Sequence, residues 1–344
     1  MFSDLARTQF RKFKSIRRAW WSLWILAITF FLSLFSEHLA NDRPLFIRYQ
    51  ERSYFPTLRF YSGQTFGGPY KTEANYRALR EDPAFRKNGN WMLLPPIPHN
   101  PLHPYLDLAG EPPHKPSARH WLGTDEAARD VAARLLYGYR ICMLFALSLT
   151  AIDALLGIAI GGLQGYFGGK IDLLAQRGIE IWSSLPILYV AILIGSIYGQ
   201  GFATLLFVLA LFYWIGLSYY MRGEFLRLKN MSYVWAARAL GASHSRILAR
   251  EILPNALTPA VTILPFRIVA GISALTALDF LGFGLPPPTP SWGELLKQGL
   301  DNYLQAPWLA ITSVLALFIT LLLASFVGEG ARAAFDPKSM SHLQ

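Results

Sequence analysis

The residue types that could carry chemistry are few in this chain, and each pattern falls short of a reaction centre. Gly165-Tyr166-Phe167-Gly168-Gly169-Lys170 has the end of a phosphate loop, in which backbone amides and a lysine cradle a nucleotide. Gln164 stands where that loop needs its first glycine, and Ile171 where it needs the Ser or Thr that binds magnesium, so no nucleotide site is expected. There is no Gly-x-Ser-x-Gly elbow and no His-Glu-x-x-His metal helix. His99, His103, His114 and His120 fall within 22 residues, but without cysteine or helical spacing they read against a metal site. The single Cys142 excludes an internal disulfide and a thiolate cluster. No catalytic residue, metal or cofactor is expected of this chain.

What remains is charge in unusual places. Asp153, Arg267 and Asp279 lie inside apolar runs. A charge at mid-bilayer costs on the order of 2.5–3.5 kcal/mol on insertion scales, so each needs a cavity or a partner helix. Asp153 and Arg267 could line a solute pathway or be buried packing residues, while Asp279 suits the outer interface. Ser232–Asn255 is a basic segment between two apolar runs. Its Ala-rich left half favours helix through Leu240, and Gly241 can take positive φ and close that helix. Ser243 can cap a second short helix that runs to Glu251 and stops at Pro254. This outline resembles a DNA-reading helix–turn–helix, but membrane spans a few residues away leave it no freedom to enter a groove. It suits a structural loop or, better, a rigid element that docks in a cleft of a cytoplasmic partner. Nucleic acid is not expected as a partner.

The elements that must position these residues are membrane helices. Of 344 residues 53% are hydrophobic and 16% charged, where a soluble protein has about a quarter charged. Lys and Arg exceed Asp and Glu by 32 to 22, an excess that fits cytoplasmic loops of a membrane protein. Residues 1–18 carry six basic side chains and form a cytoplasmic N-terminus. Ala19–Phe35 then runs seventeen residues without a charge, roughly 26 Å of helix, and residues 19–36 read as a retained first span rather than a cleaved signal. Residues 37–119 are polar, aromatic and turn-rich, a small insert with a short strand at Tyr54–Tyr61, a turn at Phe66–Pro69, a Pro83-broken helix at Tyr76–Lys87 and extended chain through eight prolines from Pro95 to Pro116.

Residues 120–140 read as an amphipathic helix, capped by Thr124 or Asp125, with Val131, Leu135 and Leu136 opposite Arg129 and Arg134; it suits the membrane surface or, as the alternative, packing on the small insert. Five more spans are expected at Ile141–Leu163, Ile181–Tyr198, Phe202–Met221, Ala256–Leu281 and Trp308–Val327, within a core of residues 141–328. Starting inside, six crossings leave both termini inside. The loop 222–255, with six basic and two acidic residues, then lies inside, as does the tail 329–344, while the outer loop Gly282–Pro307 has one base, Lys297. That distribution satisfies the positive-inside rule.

At this point the residues resemble a known family. Ala236-Ala237-x-x-x-Gly241 with Leu253-Pro254 resembles the EAA loop of ABC-importer permeases. Trp121–Asp125 with Arg129-Asp130, Phe280–Gly284, Pro288–Gly293 and Phe335–Pro337 are similar to the dipeptide/oligopeptide permease C branch, over residues 119–338. Upstream, Asn41–Leu45, Tyr54–Pro56 and Phe66–Pro69 are similar to the permease of a peptide and microcin C importer within that branch. Two positions depart: Trp235 stands for the signature's glutamate, and Glu251 for an isoleucine.

The resemblance implies an all-α integral membrane protein of six transmembrane helices, the type I ABC-importer permease fold, with a small mixed α/β periplasmic insert between helices 1 and 2. It implies a bacterial inner-membrane subunit that imports peptides or peptide-like compounds. The partners implied are a second permease subunit, two cytoplasmic ATP-binding subunits, a periplasmic solute-binding protein and membrane lipid. Ala236, Ala237, Gly241, Leu253 and Pro254 would then form the ATPase-docking loop, with Asp153 and Arg267 as pathway candidates. The rival readings are an ion- or proton-coupled carrier using Asp153 and Arg267 without an ATPase, and a membrane-anchored scaffold.

Overall fold

A computed structural model describes residues 4–87 and 89–335. Asp336, Pro337 and Lys338, which complete one of the sequence motifs and the basic tail, lie outside the described residues. In chain order the helices begin with α1 (Asp4–Ser15), α2 (Arg17–Leu34) and α3 (Ser36–Leu39). Strands β1 (Phe46–Tyr49) and β2 (Arg52–Tyr54), helices α4 (Tyr76–Glu81) and α5 (Pro83–Lys87), and strand β3 (Trp91–Leu93) follow. Then come α6 (Val131–Phe167), α7 (Gly169–Ser183), α8 (Ile187–Tyr198), α9 (Phe202–Leu228), α10 (Ser232–Ala239) and α11 (His244–Arg246). A π-turn at Ile247–Ile252 leads into α12 (Leu253–Val261), α13 (Leu264–Phe280), α14 (Trp292–Asp301) and α15 (Pro307–Phe335).

The chain divides into two compact units. One takes the residues up to Ile28, Cys142–Pro286 and those from Leu317 on; the other takes Thr29–Ile141 and Pro287–Ala316. In the second unit the strands form an antiparallel sheet in the order β2-β1-β3, with Ile47 opposite Tyr54 on one side and Met92 on the other. Ile47 is buried with Phe66, Ala74, Tyr76 and Phe85 in a small aromatic core. The strand expected at Tyr54–Tyr61 is displaced upstream. Pro56 has no amide to give a ladder, and the chain turns through 56–58 after β2 ends at Tyr54. Asn75 caps α4 by accepting the Ala78 amide at 3.0 Å, and Pro83 divides α4 from α5 as expected.

Of the helix expected over residues 120–140 only 131–140 is helical, as the first turns of α6. Asp125 Oδ1 accepts the amides of Ala127 (3.0 Å) and Arg129 (2.8 Å), winding a tight loop in which Ala128 has φ +58°. Asp130 then accepts the Ala133 amide at 2.8 Å and starts α6 at Val131. Arg129 and Arg134 do not face water: both are buried, Arg129 on Asp125 and Glu294, Arg134 on Asp125 (3.2 Å) and Glu294. Val131 packs with Leu295, Ala306 and Leu309, and Trp292 Nε1 donates to the Leu135 carbonyl at 2.9 Å. Capping carboxylates near in sequence and ion pairs to the distant Glu294 shape this segment.

In the first unit α6 and α9 approach closely along a stripe of small residues. A Cβ on Gly157 would lie 2.8 Å from Leu217, on Gly161 2.2 Å from the Ser218 carbonyl, and on Gly165 2.5 Å from the Arg222 carbonyl. These glycines recur every fourth residue, on one face, which is the small-xxx-small pattern by which membrane helices pack. By length and composition α6, α9 and α15 can cross a membrane. The pairs α7–α8, bent by 69° near Pro186, and His244–Val261 with α13, bent by 55°, would bring the number to five if each is one span. The sixth expected span, α2, is 18 residues long and includes Arg17 and Arg18, which place it outside that set.

Candidate functional site

The loop 222–255 is held to the bundle at its root and free at its tip. Arg222 at the end of α9 makes a bidentate pair with Asp172 of α7 (2.5 and 2.6 Å), and Lys229 Nζ donates to the carbonyls of Gly165 (2.8 Å) and Tyr166 (3.2 Å). Tyr166 Oη and His244 Nδ1 lie 2.7 Å apart. Val234, Ile247 and Ile252 are fully buried with Tyr166, Met221, Phe225 and Leu228, so one face of the loop continues the apolar core of the bundle.

The five residues singled out by sequence have distinct places in this loop. The Ala236 carbonyl accepts the Leu240 amide, the Ala237 carbonyl accepts the Ala242 amide, and the Arg238 carbonyl accepts the Gly241 amide, each at 3.0 Å. With Gly241 at φ +78°, this is a Schellman close of α10, and Ala237 and Ala242 pack together on the core. A Cβ at Gly241 would touch nothing within 4 Å, so backbone conformation, rather than space, calls for glycine there. Ser243 accepts the Arg246 amide at 3.4 Å as a weak cap. Leu253 packs on the core and Pro254 is exposed.

The stop expected at Pro254 is not observed. The helix widens into the π-turn Ile247–Ile252, where the Leu253 amide reaches back to the Leu248 carbonyl, and Pro254 then opens α12. An amide-free residue is tolerated in the first turn of a helix, so the register shift absorbs the proline instead of ending the chain's helical path.

At the tip Leu240 is 88% exposed and Trp235 54% exposed. The Arg238 guanidinium lies 5.1 Å from the centre of the Trp235 ring, a cation–π contact where the family signature has an acid.

Asp153 and Arg267, 114 positions apart, are brought together. Arg267 Nε donates to Asp153 Oδ2, joining α13 to α6. Its Nη2 donates to the Tyr213 carbonyl of α9, and the guanidinium lies 5.3 Å from the centre of the Tyr213 ring. Asp153 is 1% exposed and its Oδ1 has no hydrogen-bond partner among the described residues. One arginine thus ties three helices. Asp279, expected near the interface, is buried at the end of α13, where its Oδ1 accepts the Leu285 amide at 2.7 Å and folds the chain back.

Sequence reasoning missed the residues that root the loop, Asp172 with Arg222 and Lys229 on the Gly165 and Tyr166 carbonyls. The four-residue spacing of Gly157, Gly161 and Gly165 was the available signal, because it marks the α6 face against which α9 and this root assemble. It also missed the buried group of Asp125, Arg129, Arg134 and Glu294, whose partners lie up to 165 positions apart.

Residues 156–340 match the family described as binding-protein-dependent transport system inner membrane component. The chain is 46% identical over 338 residues to the inner membrane ABC transporter permease protein YejE of Escherichia coli, covering 97% of this chain and 98% of that one. It is 43% identical over 361 residues to the peptidoglycan transport system permease protein YejE of Agrobacterium fabrum, covering 98% and 94%. It is 37% identical over 243 residues to the dipeptide transport system permease protein DppC of Bacillus subtilis, covering 70% and 75%.

Proposed function

The chain belongs to the family of binding-protein-dependent transport system inner membrane components, and from that membership we propose that it is the permease subunit of an ATP-binding-cassette importer for peptides or peptide-like compounds. Two of its relatives are named for dipeptide and peptidoglycan transport, and peptide linkage is the chemistry common to those cargoes. Six spans then carry the chain through the inner membrane, with both termini inside and residues 37–119 outside. A second permease subunit completes the pathway, two ATP-binding subunits sit on the cytoplasmic face, and a periplasmic binding protein delivers cargo.

The observation that carries this reading is the two-faced loop: Leu240 and Trp235 stand exposed at the tip while Val234, Ile247 and Ile252 of the same loop are buried in the bundle. A partner that seats the tip and moves it must move that core, and with it α9 and α12. Closure of an ATPase pair would thereby switch the bundle between inward and outward access as a rigid-body change. An ion-coupled carrier working alone is the weaker reading, since Asp153 and Arg267, its coupling candidates, are tied to each other.

The test is co-purification and uptake with a Gly241→Asp chain. Membrane insertion should be kept, while retention of the ATP-binding subunits and peptide uptake are lost. Normal uptake in that variant, or uptake by the wild-type chain without an ATP-hydrolysing partner, overturns the assignment.

A further inference from the structure

Spacing alone gives the four histidines of the insert no common site, yet two of them meet in the folded chain. His99 and His120 stack with ring centres 4.2 Å apart and planes 25° apart, and the Tyr105 ring packs on both, at 4.9 and 5.1 Å. Asp130 completes the group: one ligand-type atom from each of His99, His120 and Asp130 lies within 4.8 Å of the others, and all three residues are buried.

The hydrogen bonds fix which nitrogen of each ring carries a proton. His99 Nε2 lies 2.8 Å from the Arg119 carbonyl, which only accepts, so the proton is on Nε2 and the lone pair on Nδ1. His120 Nδ1 donates to Asp130 Oδ2 at 2.8 Å, so Nε2 is the nitrogen left to bind an ion. His99 Nδ1 and His120 Nε2 are both buried, at side chains 5% and 1% exposed, and neither has a hydrogen-bond partner among the described residues. Asp130 is held by His120 and the Ala133 amide, and among the described residues no Lys or Arg forms an ion pair with it. Two buried ring nitrogens without partners are two deficits at one place. A single cation corrects both.

We propose that His99 Nδ1 and His120 Nε2 bind a divalent transition-metal cation of the zinc class, with Asp130 orienting His120 from outside. The donor set is imidazole with no thiolate, a set that borderline cations take. Each ring already donates its other N–H to an oxygen, His99 to the Arg119 carbonyl and His120 to Asp130, the outer-shell arrangement that orients metal-binding histidines. His99, Tyr105 and Arg119 line a cavity of about 1190 Å³ in the same unit, and this gives the ion its way in. Two protein ligands leave the remaining coordination positions to water.

The test uses the full chain, purified in detergent through a tag without histidine, stripped with chelator and then dialysed against Zn²⁺. Metal content should come to one zinc per chain, and zinc K-edge absorption of the wild type should show imidazole scattering from two histidines. His99→Gln should weaken zinc binding at least tenfold. His103→Gln should leave it unchanged, because His103 lies 3.3 Å from Asp42 on the cavity wall and outside the group. A wild-type chain that retains no zinc, or one whose spectrum lacks imidazole, overturns the site and leaves a His120–Asp130 pair only. Zinc binding that His99→Gln does not change overturns it equally. None of these outcomes depends on peptide uptake, so the site stands or falls apart from the transport assignment.

Discussion

Removing Arg267 alone should do more damage than removing it together with Asp153. Asp153 is 1% exposed, its Oδ1 already lacks a partner, and its Oδ2 is held by Arg267. Arg267→Met therefore strands a buried carboxylate, and breaking a buried pair in this way costs about 3–5 kcal/mol, more than a hundredfold in the folding equilibrium. Replacing both partners by apolar residues of similar volume, Asp153→Leu with Arg267→Met, removes the stranded charge and should return stability to within about 1 kcal/mol of wild type, since such replacements are often neutral or better. Cys142, the single cysteine and 1% exposed, supplies the assay: a thiol-reactive dye reports its exposure during thermal unfolding in detergent. A single variant as stable as wild type, or a double variant as unstable as the single, would refute the reasoning. Uptake then separates the roles. A double variant that is stable and active makes the pair a tie between α6, α9 and α13. One that is stable and inactive places it on the pathway.

Gly161→Leu should prevent α6 from packing on α9, because its Cβ would meet the Ser218 carbonyl at 2.2 Å and backbone cannot rotate away. Size-exclusion yield of folded chain should collapse, while Gly178→Leu, with nothing within 4 Å, should match wild type. Trp235→Glu should keep ATPase coupling, since Arg238 already faces that position at 5.1 Å and would take the acid as an ion-pair partner. A fall in transport-coupled ATP hydrolysis in that variant would show that the tryptophan touches the partner directly.

What the sequence made legible was local. Gly241 was legible as the residue that closes a helix at positive φ, and the Schellman bonds are how the fold does it. Pro83 divides two short helices because it has no amide to give. Long apolar runs mark α6, α9 and α15 as helices that can cross a membrane, because hydrophobic length needs no knowledge of partners. The failures share a cause. The stripe at Val131, Leu135 and Leu136 was read as a face for lipid, yet Val131 lies against Leu295, Ala306 and Leu309, which come from the far end of the chain. Arg129 and Arg134 suggested a solvated side, and their acids are Asp125 and the distant Glu294. Periodicity reports that a face is apolar and is silent on what covers it.

Pro254 shows the same limit from the opposite side. A proline stops a helix when the amide it lacks is needed, and one residue type cannot say whether it is. Here the π-turn Ile247–Ile252 shifts the bonding register, so Pro254 falls in the first turn of α12, where no amide is required. The consequence reaches function. Had the chain stopped at Pro254, the tip around Gly241 would hang on a flexible link. Instead Ile247 and Ile252 anchor the π-turn in the core beside Phe225 and Leu228, and helix continues without a break from that turn into α12. A push on Leu240 is therefore transmitted through packed side chains and continuous backbone. In the proposed coupling role, that continuity is what would carry motion from the tip into the bundle.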